Sequence, residues 1–199
     1  MPDRHNKRLI KTCSLLNSPV HSDLTISCNG SAFYAHQCIL GLSTDYFAAG
    51  STMRSPGSDT NTVSLSHYSA ASVWRFLSWC YSGDYPRILP AEISHHEAHQ
   101  GVEIHTRVYL LAAYLGVDEL KTLASDRCRD ELTNNWNIKV FLKTVRDVFP
   151  SIGGNDDTLR RIILTVGAVN HATLKTVPEY RDVLDQVEGF AAELAWGYI

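Results

Sequence analysis

An alternating strand, a tight turn and a returning strand in residues 22–35 constrain the fold more than any other part of the chain. The apolar residues of the first strand recur at every second position: Leu24, Ile26 and Cys28. This period of two indicates a strand with one buried face. Asn29-Gly30 follows, and this pair favours a two-residue hairpin turn because both of its positions need positive φ. The sequence therefore predicts an antiparallel hairpin, with residues 32–35 in the second strand.

From His36 onward the apolar residues recur at helical spacing. Residues able to cap and fill a short helix follow directly: Ser43, Thr44, Tyr46 and Phe47. A longer helix is predicted between Ser69, which can cap it, and Gly83, because glycine adopts the left-handed conformation that stops a helix. Its core-facing stripe has the spacing i, i+3, i+4, i+7 and i+8 and comprises Val73, Phe76, Leu77, Cys80 and Tyr81.

The second half of the chain is helical in pattern. Two apolar stripes lie before and after Gly116: Val108, Leu111, Ala112 and Leu115, then Val117, Leu120, Leu123, Ala124 and Cys128. Further stripes follow at 138–149 and 159–166, and Pro178 opens a final helix whose apolar face continues to residue 194. Each stripe needs another surface against which it can be buried, so these helices should pair with each other or dock on the preceding domain.

Taken in order, these segments resemble a BTB/POZ domain. The segments that carry the resemblance are Asp23 with the hairpin and His36, Tyr46-Phe47, Val63-Ser64-Leu65, WRFLSWCYSG at 74–83 and TRVYLLAAYLGVDELKTL at 106–123. The similarity spans residues 9–132, and the stretch 105–125 resembles the single-domain BTB proteins of filamentous fungi. It implies an α+β fold, in which a small mixed β-sheet of about three strands is covered by a cluster of α-helices. Residues 133–199 would form a C-terminal helical extension.

The resemblance also implies a set of signature residues: Asp23, His36, Tyr81 and Gly83. Two segments interrupt the predicted domain. Residues 51–60 are small and polar, which predicts a mobile loop. Residues 86–104 resemble an insertion before the next helix of the family, and Pro86 and Pro90 prevent one continuous helix there.

Such a resemblance implies a protein–protein interaction module that scaffolds partners by homo- or hetero-oligomerisation, with a homodimer expected. In the family the leading helix packs against a partner subunit, and the apolar stripe at 9–16 fits that role or a helix folded onto its own domain. Asp23 faces a basic residue in family dimers, but Gln37 occupies that position here, so the carboxylate needs neutral donors or solvent. The candidates for the dimer interface are Leu9, Ile10, Cys13, Leu16, Asp23 and Gln37. The candidates for a partner surface are Tyr46, Phe47, Met53, Trp74 and Trp79.

A narrower alternative is a substrate adaptor of a cullin-type ubiquitin ligase. BTB adaptors that bind cullin scaffolds usually present a hydrophobic-x-Glu motif in the region of residues 51–60. This chain has no glutamate between Gly30 and Ala91, and Met53 and Asp59 stand at the wrong spacing. The cullin alternative therefore lacks its usual sequence motif.

A histidine cluster at 95–99 raises one further alternative, a metal-dependent hydrolase. His95 and His99 would share a helix face at i, i+4. The sequence from His96 to His99 is one residue short of the zinc-protease motif, so its histidines could not flank Glu97 as that motif requires. The competing interpretation is a solvated loop. We expect no enzyme activity and no cofactor, because no nucleophile, base and oxyanion donors converge in the sequence.

Composition and charge narrow the classes of partner and compartment. The formal charge of −3, without a basic block, disfavours a nucleic-acid partner. No apolar run reaches about 18 residues, so no membrane span is expected. Five scattered cysteines without a Cys-x-x-Cys pair predict reduced thiols, most of them on apolar faces, and no secretory signal is expected. These features indicate an intracellular protein of the cytoplasm or nucleus.

Overall fold

The computed structural model describes residues 12–47, 61–94, 101–151 and 158–196. The described residues form two compact units. The first unit comprises the described residues up to 94 together with 107–121, and the second comprises 101–106 and 122–196. The predicted family domain was bounded at 132, whereas the compact units divide after residue 121.

The first unit contains a mixed three-stranded sheet. Strands β1 (Leu24–Cys28) and β2 (Ser31–Ala35) form the predicted antiparallel hairpin. Strand β3 (Thr62–Ser64) pairs in parallel with β1, so the strand order is β2-β1-β3. Asn29 has φ of 43° and Gly30 has φ of 83°, as the tight turn requires. The hairpin and the small mixed sheet predicted from the sequence are confirmed.

The described part of the first unit also contains helices and one 3-10 turn. They comprise α1 (Gln37–Leu40), a 3-10 turn (Asp45–Phe47), α2 (Ala70–Ser82), α3 (Ala91–Ser94) and the part of α4 (Val102–Leu115) from residue 107 onward. The longest complete helix, α2, begins and ends where its capping residues predicted. The Ser69 hydroxyl accepts a hydrogen bond from the Ser72 amide at 3.1 Å and caps α2. Gly83 has φ of 78° and ends the same helix.

The core of the first unit lies between the sheet and α1 and α2. Its side chains include these buried apolar residues: Leu24, Ile26, Phe33, Ala35, Leu40, Phe47, Val63, Val73, Phe76 and Leu77. Each fully buried aliphatic or aromatic side chain contributes about 1.5–3 kcal/mol relative to exposure. The stacked rings of Phe47 and Phe76, with centroids 5.8 Å apart, join the 3-10 turn to α2.

The second unit is helical in its described part. Its elements are the C-terminal part of α5 (Asp118–Asn134) from residue 122 onward, α6 (Ile138–Val148), a 3-10 turn (Phe149–Ser151), α7 (Thr158–Val169), α8 (His171–Leu174), α9 (Pro178–Gln186) and α10 (Phe190–Trp196). The prediction of one final helix from Pro178 to residue 194 is wrong. Gly189 has φ of 80°, which breaks the helix, and Phe190 then begins α10 with its ring against Phe149 at 5.2 Å.

Three of the five cysteines are buried or half-buried, which agrees with the prediction that most lie on apolar faces, whereas Cys13 and Cys38 are exposed. Among the described residues, which include all five cysteines, no disulfide is formed. Cys28 and Cys128 are buried, and Cys80 is half-buried. Burial raises the pKa of the Cys128 thiol to about 12, because a thiolate would lose its hydration there.

Candidate functional site

A segment of residues 13–23 lies along the hairpin and is held there by hydrogen bonds. The side chain of Asn17 accepts a hydrogen bond from the Tyr34 amide at 2.9 Å, on the outer edge of β2. The Cys13 thiol donates to the Tyr81 carbonyl at 3.5 Å. We call the surface formed by residues 13–23 and 34–37 the N-terminal face. Its backbone is preformed because both ends of the segment are tied to the hairpin and to α2.

The imidazole of His36 joins this face to the core. Its Nε2 lies 2.9 Å from the Val20 carbonyl, and its Nδ1 lies 2.7 Å from the Tyr81 hydroxyl. A carbonyl can only accept, so Nε2 carries the proton and Nδ1 accepts from Tyr81. The Tyr81 oxygen in turn accepts from the His36 amide at 3.0 Å. Burial raises the pKa of Tyr81 to about 12, which keeps its hydroxyl protonated as this network requires.

Asp23 is the last residue of the segment and connects it to α1. Its Oδ1 accepts from the Gln37 amide at 2.7 Å and so satisfies an amide at the first residue of α1. The Gln37 side chain donates to the Phe47 carbonyl at 2.9 Å instead of pairing with Asp23. The carboxylate is exposed and uses a neutral donor, which accounts for an aspartate at this position without a basic partner.

Apolar and aromatic side chains project from the N-terminal face. Val20 is 56% exposed and Tyr34 is 46% exposed. Cys13 is exposed and Leu16 is half-buried. Exposed apolar groups that cluster on one surface, unlike scattered ones, mark interaction sites.

A groove of about 550 Å³ lies beside this face, between Leu16, α2 and residues 84–90. Trp74 lines the groove and also packs on Phe33, with ring centroids 5.9 Å apart. Arg75 shapes the opposite wall, since its guanidinium donates to the carbonyls of Pro86 and Arg87 at 3.1 Å each. The groove is therefore held open by fixed backbone and not by mobile side chains alone.

A second aromatic surface is formed by residues from three separate segments. We call Tyr46, Tyr68 and Tyr114 the tyrosine cluster. The ring of Tyr114 lies 5.5 Å from that of Tyr46 and 5.3 Å from that of Tyr68. The hydroxyls of Tyr46 and Tyr114 are 3.2 Å apart, and the Thr44 hydroxyl donates to the Leu115 carbonyl beneath them. Tyr114 is 49% exposed, so the cluster presents aromatic surface to solvent.

Desolvation by burial is the main cause that raises the pKa of Tyr46, and the hydrogen bond to Tyr114 raises it further. Desolvation likewise raises the pKa of Tyr68. These phenols therefore stay neutral across the physiological range and act as hydrogen-bonding aromatic groups.

The residues proposed from the sequence fall into three groups. Cys13, Leu16, Asp23 and Gln37 lie on the N-terminal face. Among the partner-surface candidates, Phe47 is 2% exposed and belongs to the core, because its ring stacks on Phe76, while Tyr46, Trp74 and Trp79 are half-buried. The remaining candidates lie outside the described residues: Leu9, Ile10, Met53, His95, His96 and His99.

Sequence reasoning missed Tyr34, Tyr68 and Tyr114. For Tyr34 a signal was present, since it alternates with buried Phe33 and Ala35 and must point to the opposite face of β2. Tyr68 and Tyr114 carry no such local signal, because they meet only through the tertiary fold.

Within the described ranges, no three His, Cys, Asp or Glu side chains are placed to share a metal ion. In the same part of the chain, none of the helices has both the length and the apolar character needed to span a bilayer. The family model for the BTB/POZ domain matches residues 14–131, which is more than half of the chain. No curated protein shows significant similarity to the sequence.

Proposed function

Because the chain belongs to the BTB/POZ domain family, whose domain is a protein–protein interaction module, we propose that it self-associates through the N-terminal face and scaffolds partner proteins. The observation that carries this proposal is that Val20, Tyr34 and Cys13 are exposed on a surface whose backbone is preformed. A preformed surface loses less conformational entropy on association than a mobile one does.

The electrostatics of the face support self-association. Asp23 is satisfied by a backbone amide within its own chain, so a partner need not supply a cation. Val20 and Tyr34 would lose apolar exposed surface in a dimer, at about 25 cal/mol per Å² removed from water. A face with apolar anchors and few unpaired charges fits the core of a protein–protein interface.

Light scattering on the full chain tests this proposal. We expect a mass of twice the 22.2 kDa chain at high micromolar concentration. Tyr34→Asp and Val20→Asp should each produce monomer, because a carboxylate would then be buried without a partner. The His36 bond uses the Val20 carbonyl, so it survives the side-chain change.

Leu42→Asp is the matched control, because Leu42 is an exposed aliphatic residue outside the N-terminal face. This variant should remain a dimer. A wild-type chain that is monomeric at these concentrations, or a dimer that withstands both aspartate substitutions, would rule out self-association through this face.

The tyrosine cluster favours a second function, that of a cullin-ligase adaptor. Tyr46 lies five residues before the region where the family resemblance places the hydrophobic-x-Glu motif, and its ring packs on half-exposed Tyr114. Aromatic side chains of this kind are frequent anchors in protein interfaces. The missing glutamate counts against this function, so the aromatic cluster would have to replace the motif.

Binding to an isolated cullin N-terminal domain distinguishes the two functions. An adaptor should bind at micromolar concentration and lose at least about tenfold in affinity on Tyr114→Ala, the cost of an interface anchor. Tyr34→Ala is the matched control, since Tyr34 is similarly exposed on the other surface. Absence of binding at tens of micromolar would exclude the adaptor function and leave scaffolding as the remaining one.

The exposed thiols of Cys13 and Cys38 further support a reducing compartment, the cytoplasm or nucleus.

A further inference from the structure

The second unit contains a cleft, and none of its lining residues belongs to the N-terminal face or to the tyrosine cluster. It has a volume of about 310 Å³ and lies between α5 and α7. Most of the wall surface is apolar, but six of the nine lining side chains are polar or charged: two arginines, three threonines and Asn170. The three aliphatic ones are Ile162, Val166 and Val169. Small-molecule sites likewise have mostly apolar walls and begin at about 300 Å³. The size therefore suits a small ligand.

The cleft is elongated because one face of α7 forms most of it. The lining residues of α7 run from Thr158 to Val169 at i, i+3, i+4, i+7, i+8 and i+11, a length of about 16 Å at the helical rise. Ile162, Val166 and Val169 make a continuous aliphatic strip along this face. An extended acyl chain matches such a strip better than a compact ring does.

Both charged residues of the lining are arginines, in a chain with a formal charge of −3. Arg161 lies one turn after Thr158 on α7, and Arg129 lies on α5. Arg129 pairs with Asp126 at 2.9 Å, but both side chains are half exposed, so this pair is weak and can yield to a ligand anion. Guanidinium groups bind carboxylates with paired, directional hydrogen bonds.

Val169 is the last residue of this aliphatic strip and is 80% exposed, whereas Ile162 and Val166 are buried. Such exposure is unusual for a large aliphatic side chain. A ligand tail lying along α7 would cover Val169. From the size, the aliphatic strip and the two arginines of the lining, we propose that this cleft binds an elongated amphipathic carboxylate, of the class of medium-chain fatty acids. The carboxylate lies between Arg129 and Arg161, and the tail follows Ile162, Val166 and Val169.

Calorimetric titration of the full chain with decanoate, below its micelle concentration, tests this assignment. We expect one saturable site with a dissociation constant of about 10–100 µM. Arg161→Gln should weaken binding about tenfold through the lost charge-assisted bonds. Val169→Ser should weaken it about fivefold through the lost apolar contact. Decanol, which has the same tail without the charge, should bind at least about tenfold more weakly than decanoate.

Matched controls come from exposed positions on α6. Arg146→Gln and Val140→Ser change the same residue types away from the cleft and should leave the affinity unchanged. Circular dichroism verifies that each variant is folded. Absence of saturable binding at 1 mM decanoate, equal binding of decanol, or insensitivity to both cleft variants would overturn the proposal. A hexapeptide that ends in leucine and binds more tightly than decanoate at the same variant-sensitive site would overturn it in favour of a peptide carboxylate.

Discussion

The buried bond between Tyr81 and His36 is the contact whose removal has the most defined energetic consequence. Tyr81→Phe deletes one oxygen and keeps the ring, so it opens almost no cavity. That oxygen donates to His36 Nδ1 at 2.7 Å and accepts from the His36 amide at 3.0 Å. His36 is only 4% exposed, so water cannot readily replace either bond.

A buried polar group left unsatisfied costs about 1–3 kcal/mol, and Tyr81→Phe leaves two such groups. Partial relaxation of the imidazole lowers the sum, so we expect a loss of about 2–4 kcal/mol in the stability of the first unit. The two units need not unfold together, so a single global transition is not a safe measure. Hydrogen exchange of the amides in residues 31–37 reports on the correct region and gives a free energy of opening.

Tyr114→Phe is the matched control. It removes one hydroxyl from the half-exposed pair with Tyr46, and water can replace that bond, so we expect a change below about 0.5 kcal/mol. The reasoning would be refuted if Tyr81→Phe changed the opening free energy of residues 31–37 by no more than the control does. It would be refuted equally if the loss were confined to peptides far from His36.

Three other predictions concern helix ends and pH. Gly83→Ala should destabilise the first unit by about 1 kcal/mol, because alanine is strained at φ of 78° even though its methyl group meets no atom within 4 Å; hydrogen exchange of the amides of α2 measures this. Ser69→Ala should cost about 1 kcal/mol by removing the cap of α2, and Ser69→Asp should restore most of it. Burial raises the pKa values of Cys80 and Cys128 to about 12 from an unfolded value of 9.0, so the folded chain holds protons that the unfolded chain releases. The stability that these two thiols contribute should therefore be constant below pH 9 and be lost between pH 9 and about 12. Serine at both positions should reduce that loss in urea titrations, while the loss contributed by Tyr46, Tyr68 and Tyr81 remains.

Local rules predicted the parts of the fold that depend on neighbours in sequence. The positive φ values at Asn29 and Gly30, the cap at Ser69 and the stop at Gly83 each follow from one or two residues. The third strand and the mixed sheet were implied only by the family resemblance, because a local pattern does not predict which strands become neighbours. The structure pairs β3 in parallel with β1. The apolar stripe from Tyr180 to Leu194 predicts one helix, whereas Gly189 at φ of 80° separates α9 from α10, because a stripe does not specify backbone conformation at a glycine.

The candidate sites were harder to predict than the fold because they depend on exposure and on long-range contacts. Cys13 and Cys38 fell on helical stripes, yet a stripe in a short element does not specify which side faces the core. His36 and Tyr81 are 45 residues apart, and their bond is visible only once α2 lies against the hairpin. The alternation in β2 did indicate that Tyr34 points outward, so this residue could have been proposed from the sequence alone.

The position of Asn17 favours one mode of self-association over another. Strand β2 lies at the edge of the sheet, and an edge strand can recruit a second chain through its unpaired backbone groups. Here the Asn17 side chain occupies the outward amide of Tyr34, so strand addition at that point would have to displace an existing bond. The side chains of Val20 and Tyr34 remain exposed beside the protected edge. For the proposed dimer through this face, we therefore favour side-chain packing over an extended sheet across two chains.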